Sequence, residues 1–397
     1  MDLFQKCKDY TYAKDAMKAG FYPYFHALDT RQDTEVVMDG TKVIMLGSNN
    51  YLGLTTHPDV IKAGIDALNK YGSGCSGSRF LNGTLKLHLA LEKDIAEFVH
   101  KPAALTFSTG FVTNLAIISC IAGRHDYVVC DKENHASIYD AVKLSNAEKM
   151  LRYKHSDMKD LEYQLSTIPA DKGILIVTDG VFSMEGDLCN LPEIVRLAKK
   201  YKARVMVDDA HSFGVFGVDG RGTASHFGLE KDVDIIMGTF SKSLASLGGF
   251  MAASEEVCHF VQHNSRPFIF AASLPPANVA CAHAALKEIQ KNPQRIKNLL
   301  EIADYTRKKF KEKKIPALKS DAPIIPIVIG DDITTCTVCM ELFNAGVYVN
   351  PVVAPAAPAG GSMIRTSLLA TLTKEQIDRA ADIIEKVLKK HDLLVKK

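Results

Sequence analysis

An α/β fold, with a mainly parallel central sheet carrying helices on both faces and a smaller α+β domain after it, is the architecture this 397-residue sequence predicts. Two observations carry the prediction. From about residue 46 to 280, short apolar runs ending in polar or small residues alternate with amphipathic helical patterns, which is the order that parallel strands and their crossover helices require. At Leu274-Pro-Pro276 the texture changes, and long helical patterns with isolated strands take over.

Residues 1–45 read as an N-terminal arm. A polar, helix-prone start leads to Phe21, Tyr22, Tyr24 and Phe25 and then to the β-like run Glu35-Val-Val-Met38. The large domain, 46–280, carries strands at Ala104-Leu-Thr-Phe-Ser108, Tyr127-Val-Val-Cys130, Ile174-Leu-Ile-Val-Thr178, Arg204-Val-Met-Val-Asp208 and Asp234-Ile-Ile-Met-Gly238. Their near-continuous apolar character suits strands covered on both faces, and segments such as 157–166 and 191–201 supply covering helices. A C-terminal α+β domain, 281–397, follows. Helical patterns at 277–290 and 293–313 lead into it, strands are expected at 323–329 and 347–349, and 374–394 closes the chain as a helix with its lysines outward. The proline- and alanine-rich stretch 351–361 is short enough to be an ordered or closing loop.

Composition excludes several classes. With 48 basic and 46 acidic side chains the formal charge is +2, so no overall basic field points to nucleic acid. Nine scattered cysteines fit reduced thiols better than a disulfide framework. Cys336-Thr-Val-Cys339 lacks a second such pair and lies in a helical pattern, so it reads as structural, and no metal site is expected. No secretory start and no run of about 20 apolar residues is present. A cytoplasmic protein is expected, with contact at a membrane surface left open.

Open α/β sheets bind ligands beyond the carboxyl ends of their strands. There the sequence sets Asp208-Asp-Ala-His211 and, past the next run, Thr239-Phe-Ser-Lys242. A lysine preceded by hydroxyls, with a carboxylate from another strand, is what a pyridoxal phosphate site needs. The amine forms a Schiff base, the carboxylate keeps the pyridine nitrogen protonated, and hydroxyls with backbone amides hold the phosphate. The glycine-rich Gly72-Ser-Gly-Cys-Ser-Gly-Ser-Arg79 matches neither dinucleotide nor P-loop spacing, and suits a flexible substrate loop.

The order Ser108-Thr-Gly-Phe111, Asp131-Lys-Glu-Asn-His135, Asp179-Gly-Val-Phe-Ser-Met-Glu-Gly-Asp187, Asp208-Asp-Ala-His-Ser-Phe-Gly214 and Gly238-Thr-Phe-Ser-Lys-Ser-Leu244 resembles the α-oxoamine synthase family of fold-type I, aminotransferase-like pyridoxal phosphate enzymes. The likeness runs from about residue 23 to the end, through 72–84 and Arg365-Thr-Ser367.

The resemblance implies that Lys242 is the Schiff-base lysine and proton shuttle, and that Asp208 pairs with the pyridinium nitrogen. His211 would meet the cofactor's phenolic oxygen, and His135 would stack on its ring and help orient the substrate carboxylate. The backbone at Gly110 and Phe111, with the Thr239 and Ser241 hydroxyls, would hold the phosphate, and Ser183 would touch the cofactor. Ser273 would complete the phosphate site of a neighbouring subunit, which implies a homodimer with its active site at the interface. Ser78 and Arg365 would bind substrate, the arginine as a two-bond partner for a carboxylate.

The family condenses an amino acid with an acyl-coenzyme A and releases carbon dioxide. Serine on both sides of Lys242 resembles the members of the family that use L-serine with a long-chain acyl-CoA, whereas those joining glycine to acetyl or succinyl donors or alanine to a pimeloyl donor more often have glycine before the lysine. A non-catalytic subunit of the same fold would lack the lysine. One departure stands at Ala370-Thr-Leu-Thr373, where Leu372 replaces the histidine usual in the family.

Overall fold

The computed structural model describes residues 2–358 and 360–395. They form two units: Asn49–Leu299, and a second that joins the chain before Asn49 to the chain after Leu299.

In the first unit seven strands form one sheet in the order Ala103–Phe107, Gly249–Ala253, Ile235–Thr239, Arg204–Asp208, Gly173–Asp179, Asp126–Asp131, Lys149–Tyr153. All pairings from Ile235–Thr239 to Lys149–Tyr153 are parallel, whereas Gly249–Ala253 runs antiparallel to both its neighbours. Ile235–Thr239 and Gly249–Ala253 are buried along their whole length, as expected of strands covered on both faces. The core beneath them includes Phe107, Ile117, Val177, Met206, Met237 and Met251.

Two of these strands have no counterpart in the sequence reading. Lys149–Tyr153 is an edge strand that alternates exposed and buried residues, too short and charged to show an apolar run. Gly249–Ala253, of sequence Gly-Phe-Met-Ala-Ala, opens on a glycine whose neighbours approach closely. A Cβ on Gly249 would lie 2.9 Å from the Gly238 carbonyl oxygen and 3.1 Å from Gly110 Cα.

The second unit contains two small sheets. The hairpin Glu35–Met38 and Thr41–Met45 pairs in parallel with Val347–Tyr348, and Val36, Met38, Val43, Met45 and Phe343 form its core. The other sheet sets Ser362–Ser367 between Ile324–Gly330 and Asn350–Val352. The closing helix Lys374–Lys390 starts on a reciprocal cap between Thr373 and Gln376, and Leu372 just before it is buried.

These units differ from the boundaries 1–45, 46–280 and 281–397. The segment read as a leading arm groups with the C-terminal residues because the pairing of Thr41–Met45 with Val347–Tyr348 ties them together. Pro276–Lys291 groups with the first unit, where it packs along Pro58–Tyr71. The division falls inside Gln294–Glu312, at no break in the sequence. Cys336 and Cys339 are buried, unpaired residues of Asp332–Asn344, and burial raises both thiols.

Candidate active site

Parallel strands end on one edge of the sheet, so Asp131, Asp179, Asp208 and Thr239 stand in a row as their last residues. Asp179 lies opposite Asp208 in the register. Gly249 is the register partner of both Phe107 and Thr239, which brings the chain leaving the first strand level with the chain leaving Ile235–Thr239. A cavity of about 230 Å³ opens there.

One corner of the cavity is built for an anion. The helix Gly110–Ile121 begins at this edge, capped by the Thr109 hydroxyl, which accepts from the Val112 amide. The first amides of a helix have no intrahelical partner and carry partial positive charge. Gly110 and Phe111 line the cavity at this point together with Thr239 and Ser241. The Thr239 hydroxyl donates to the Gly248 carbonyl at 3.0 Å and lies 2.9 Å from Ser241 Oγ. A Cβ on Gly110 would sit 2.9 Å from Thr239 Oγ1, so any larger residue would push the helix start away from the hydroxyls.

Across the cavity Asp208 is buried. Its Oδ2 accepts from Asn114 Nδ2 at 2.7 Å, and its Oδ1 from the Ala210 amide at 2.9 Å. The next residue faces away, as strand geometry demands. Asp209 is fully buried and accepts from the Thr223 amide, at 3.2 Å to each oxygen, and from the Ser212 hydroxyl, while burial pushes its carboxyl up to about 6. It pins a turn and does not line the cavity.

His135 and His211 also line the cavity. His211 Nδ1 is 2.7 Å from the Tyr51 hydroxyl. His135 caps the helix Ala136–Lys143, its Nδ1 accepting from the Ser137 amide at 3.3 Å and lying 2.7 Å from Ser137 Oγ. Its backbone amide faces the Asp179 carboxylate at 3.2 Å. The loop that carries it is held by Asn134, which receives the Asp179 amide at 3.1 Å and donates to the Val177 carbonyl at 2.8 Å. Burial, with Asp208 opposing and Lys242 reinforcing, holds the His135 imidazole below the usual histidine range. Asp179 is raised well above the usual carboxylate range by burial and by the neighbouring Asp208. Lys242 completes the lining.

The cavity thus brings together eight residues expected from the sequence: Gly110, Phe111, His135, Asp208, His211, Thr239, Ser241 and Lys242. It does not include Ser78, Ser183 or Ser273 of the same chain. Ser183 lies in the turn between Val181 and Leu188, which form a bridge. Ser78 and Ser273 are buried beside each other's loop, the Ser273 amide donating to the Gly77 carbonyl at 2.9 Å, and neither hydroxyl has a partner among the described residues. Arg365 is buried within the smaller unit, on Ser362–Ser367, where Nη1 donates to Ser367 Oγ at 2.7 Å. Sequence reasoning missed Asn114, Ser137 and Tyr51, and gave Asp179 no role although it closes a strand within a quoted motif.

The residues present fit pyridoxal phosphate. An anion corner, a buried carboxylate, two imidazoles and a primary amine converge on one cavity, and the absent Cβ of Gly110 makes the room beside Thr239. A sheet of this topology, with an amine past one strand end and a carboxylate past its neighbour's, has the frame of an aminotransferase-like enzyme. The chain belongs to the aminotransferase class I and II family, whose model matches residues 41–384.

The chain is similar over nearly its whole length to a protein of Bacteroides thetaiotaomicron named serine palmitoyltransferase, 51% identical over 392 residues covering 99% of each chain. An 8-amino-7-oxononanoate synthase of Thermoanaerobacter pseudethanolicus is 40% identical over 382 residues, 96% of each. Among solved structures, a variant serine palmitoyltransferase from S. paucimobilis with a bound pyridoxal phosphate–myriocin aldimine superposes with a TM-score of 0.96 at 35% identity, over 99% of this chain and 100% of that one.

Proposed function

We propose that this protein is a pyridoxal phosphate-dependent acyltransferase with serine palmitoyltransferase activity. It condenses L-serine with a long-chain acyl-CoA such as palmitoyl-CoA, releasing coenzyme A and carbon dioxide and yielding 3-ketodihydrosphingosine, the first step of sphingolipid synthesis. The observation that carries this reading is the convergence of Lys242, Asp208, His135 and the Gly110–Thr239 corner on one cavity, in a chain half identical to a protein of that name.

Bound there, pyridoxal phosphate would supply an electron sink for negative charge developing at the amino acid's α-carbon. The chain would do the rest. The Gly110 and Phe111 amides and the Thr239 and Ser241 hydroxyls bind the phosphate, with Ser273 of a second copy added in a homodimer. Asp208 accepts the pyridinium proton in a hydrogen bond, and His211 donates toward the phenolic oxygen. The Lys242 amine takes the α-proton of serine and later returns one to the product. His135 covers the ring face, Ser183 supports the cofactor, and Ser78 and Arg365 hold serine by its polar groups. The work belongs in the cytoplasm. No described helix is long and apolar enough to cross a membrane, and the lipid product favours contact at a membrane surface.

Two measurements test this. Borohydride reduction of the purified protein is expected to fix the cofactor on Lys242, read by mass spectrometry of the labelled peptide; label on another lysine sinks the assignment. L-serine with palmitoyl-CoA is expected to release coenzyme A faster than glycine or L-alanine with any donor. Preference for L-alanine with pimeloyl-CoA would instead assign the sister activity of the 40% identical relative.

A further inference from the structure

Asn114 and Ser137 bridge two of the groups that act on the cofactor in the reading above. Asn114 lies within Gly110–Ile121 and is buried. Its Nδ2 donates to Asp208 Oδ2 at 2.7 Å and to Ser137 Oγ at 2.8 Å, which uses both amide protons. Its Oδ1 is buried with no partner among the described residues. The opposite orientation would face a carbonyl oxygen with a carboxylate oxygen at hydrogen-bond distance, so the amide is held with nitrogen toward Asp208. The Ser137 amide, which can only donate, faces His135 Nδ1 at 3.3 Å, and the Ser137 hydroxyl, accepting from Asn114, has its proton free to donate to the same nitrogen 2.7 Å away. A ring nitrogen that accepts cannot carry the proton, so a neutral His135 holds it on Nε2.

We propose that Asn114 and Ser137 are positioning residues that couple Asp208 to His135, locking the ring as its Nε2–H tautomer so that it offers the substrate a donor and not an acceptor. The charged groups facing this ring are Asp208, Lys242 and, at its backbone amide, Asp179. Burial and the lysine favour the neutral form, the form in which the tautomer matters. The proposal rests on the reading above for the identity of the ligand, whereas the bonds it invokes lie within the chain.

The experiment uses the full chain with pyridoxal phosphate added and its histidines labelled with nitrogen-15. Two-bond proton–nitrogen spectra assign His135 by the signals lost in His135→Gln, and the Nε2–H pattern is expected in the unsubstituted protein. Ser137→Ala is expected to mix the tautomers and lower kcat about five-fold, the worth of one net hydrogen bond, with cofactor content unchanged. Ser137→Thr, which keeps the hydroxyl, is expected to restore both readouts. A proton on Nδ1 in the unsubstituted protein, or a Ser137→Ala protein with tautomer and kcat both unchanged, overturns the proposal. Should Ser137→Ala fail to fold, the unsubstituted spectrum still decides. A chain that takes up no pyridoxal phosphate would end the functional reading, and the tautomer would still decide this one.

Discussion

Asp208 and Asp209 are neighbours of identical chemistry with opposite tasks. Strand alternation turns one toward the cavity and the other into a turn closed by Ser212 and Thr223. The sequence could nominate the pair, since both stand where a strand runs out, and motif order could favour the first. It could not reveal Asn114, because nothing marks a mid-helix asparagine until the helix lies against another strand's aspartate. The contacts of Asn114 with Asp208 and Ser137 are visible only in three dimensions. Arg365 was legible as a residue type and not as a contact. Its replacement, Arg365→Ala, is expected to raise KM for serine at least ten-fold, on the order of 1.5–3 kcal/mol for a charge-assisted bond, while pyridoxal phosphate content stays constant. Serine titration of the bound cofactor's absorbance measures this, and unchanged serine affinity removes the assignment.

Among elements, the strands that could be read were those with long apolar runs, and the two that could not were an alternating edge and a strand that opens on a glycine. The second shapes the site, because Gly249 lets Gly110 and Thr239 close on each other. Gly249→Val is expected to destabilise the fold by about 1–3 kcal/mol through overpacking and to weaken cofactor binding, checked by urea unfolding and by dialysis of the loaded protein. A second element-level device is His155, whose Nδ1 lies 3.0 Å from Asp131 Oδ1 and whose Nε2 lies 3.1 Å from Asp187 Oδ2. It ties the end of Asp126–Asp131 to the segment following Gly173–Asp179. Against the pull of burial, these two carboxylates push its imidazole up to about 10. The folded state therefore holds this proton more tightly than the unfolded chain, whose histidines titrate near ~6.5. The resulting stability is fully present below about pH 6.5 and is lost as pH rises toward 10. Thermal melts at pH 7 and pH 9.5 should differ less in His155→Gln than in the unsubstituted protein, and an equal fall in Tm would contradict the assignment.

At the scale of the whole molecule, an α/β body with a smaller second unit was legible from the alternation and from the break at Leu274-Pro-Pro276. The grouping of the segment before Asn49 with the chain after Leu299 was not, because the division falls inside one continuous helix and because a strand pair joins residues three hundred positions apart, Ile44 with Val347. Separations of that kind leave no local trace. A cofactor held only by the folded cavity must stabilise the fold by mass action. Stripping pyridoxal phosphate is expected to lower Tm, and restoring it at about a thousand times its Kd should return roughly 4 kcal/mol. A Tm indifferent to the cofactor would argue against a preformed site.

The pairing of Thr41–Met45 with Val347–Tyr348 also sets an order of events during synthesis. Everything needed for Asn49–Leu299 has been made before residue 300 is added, so the seven-stranded sheet and its cavity can close while the ribosome is still working. The hairpin Glu35–Met38 and Thr41–Met45 is translated before Asn49–Leu299, and its third strand, Val347–Tyr348, after it. It must wait with an open strand edge while all of Asn49–Leu299 is made, the kind of surface on which nascent chains pair wrongly. Its short length and the charged Glu35 and Lys42 are the features that guard such an edge during the wait.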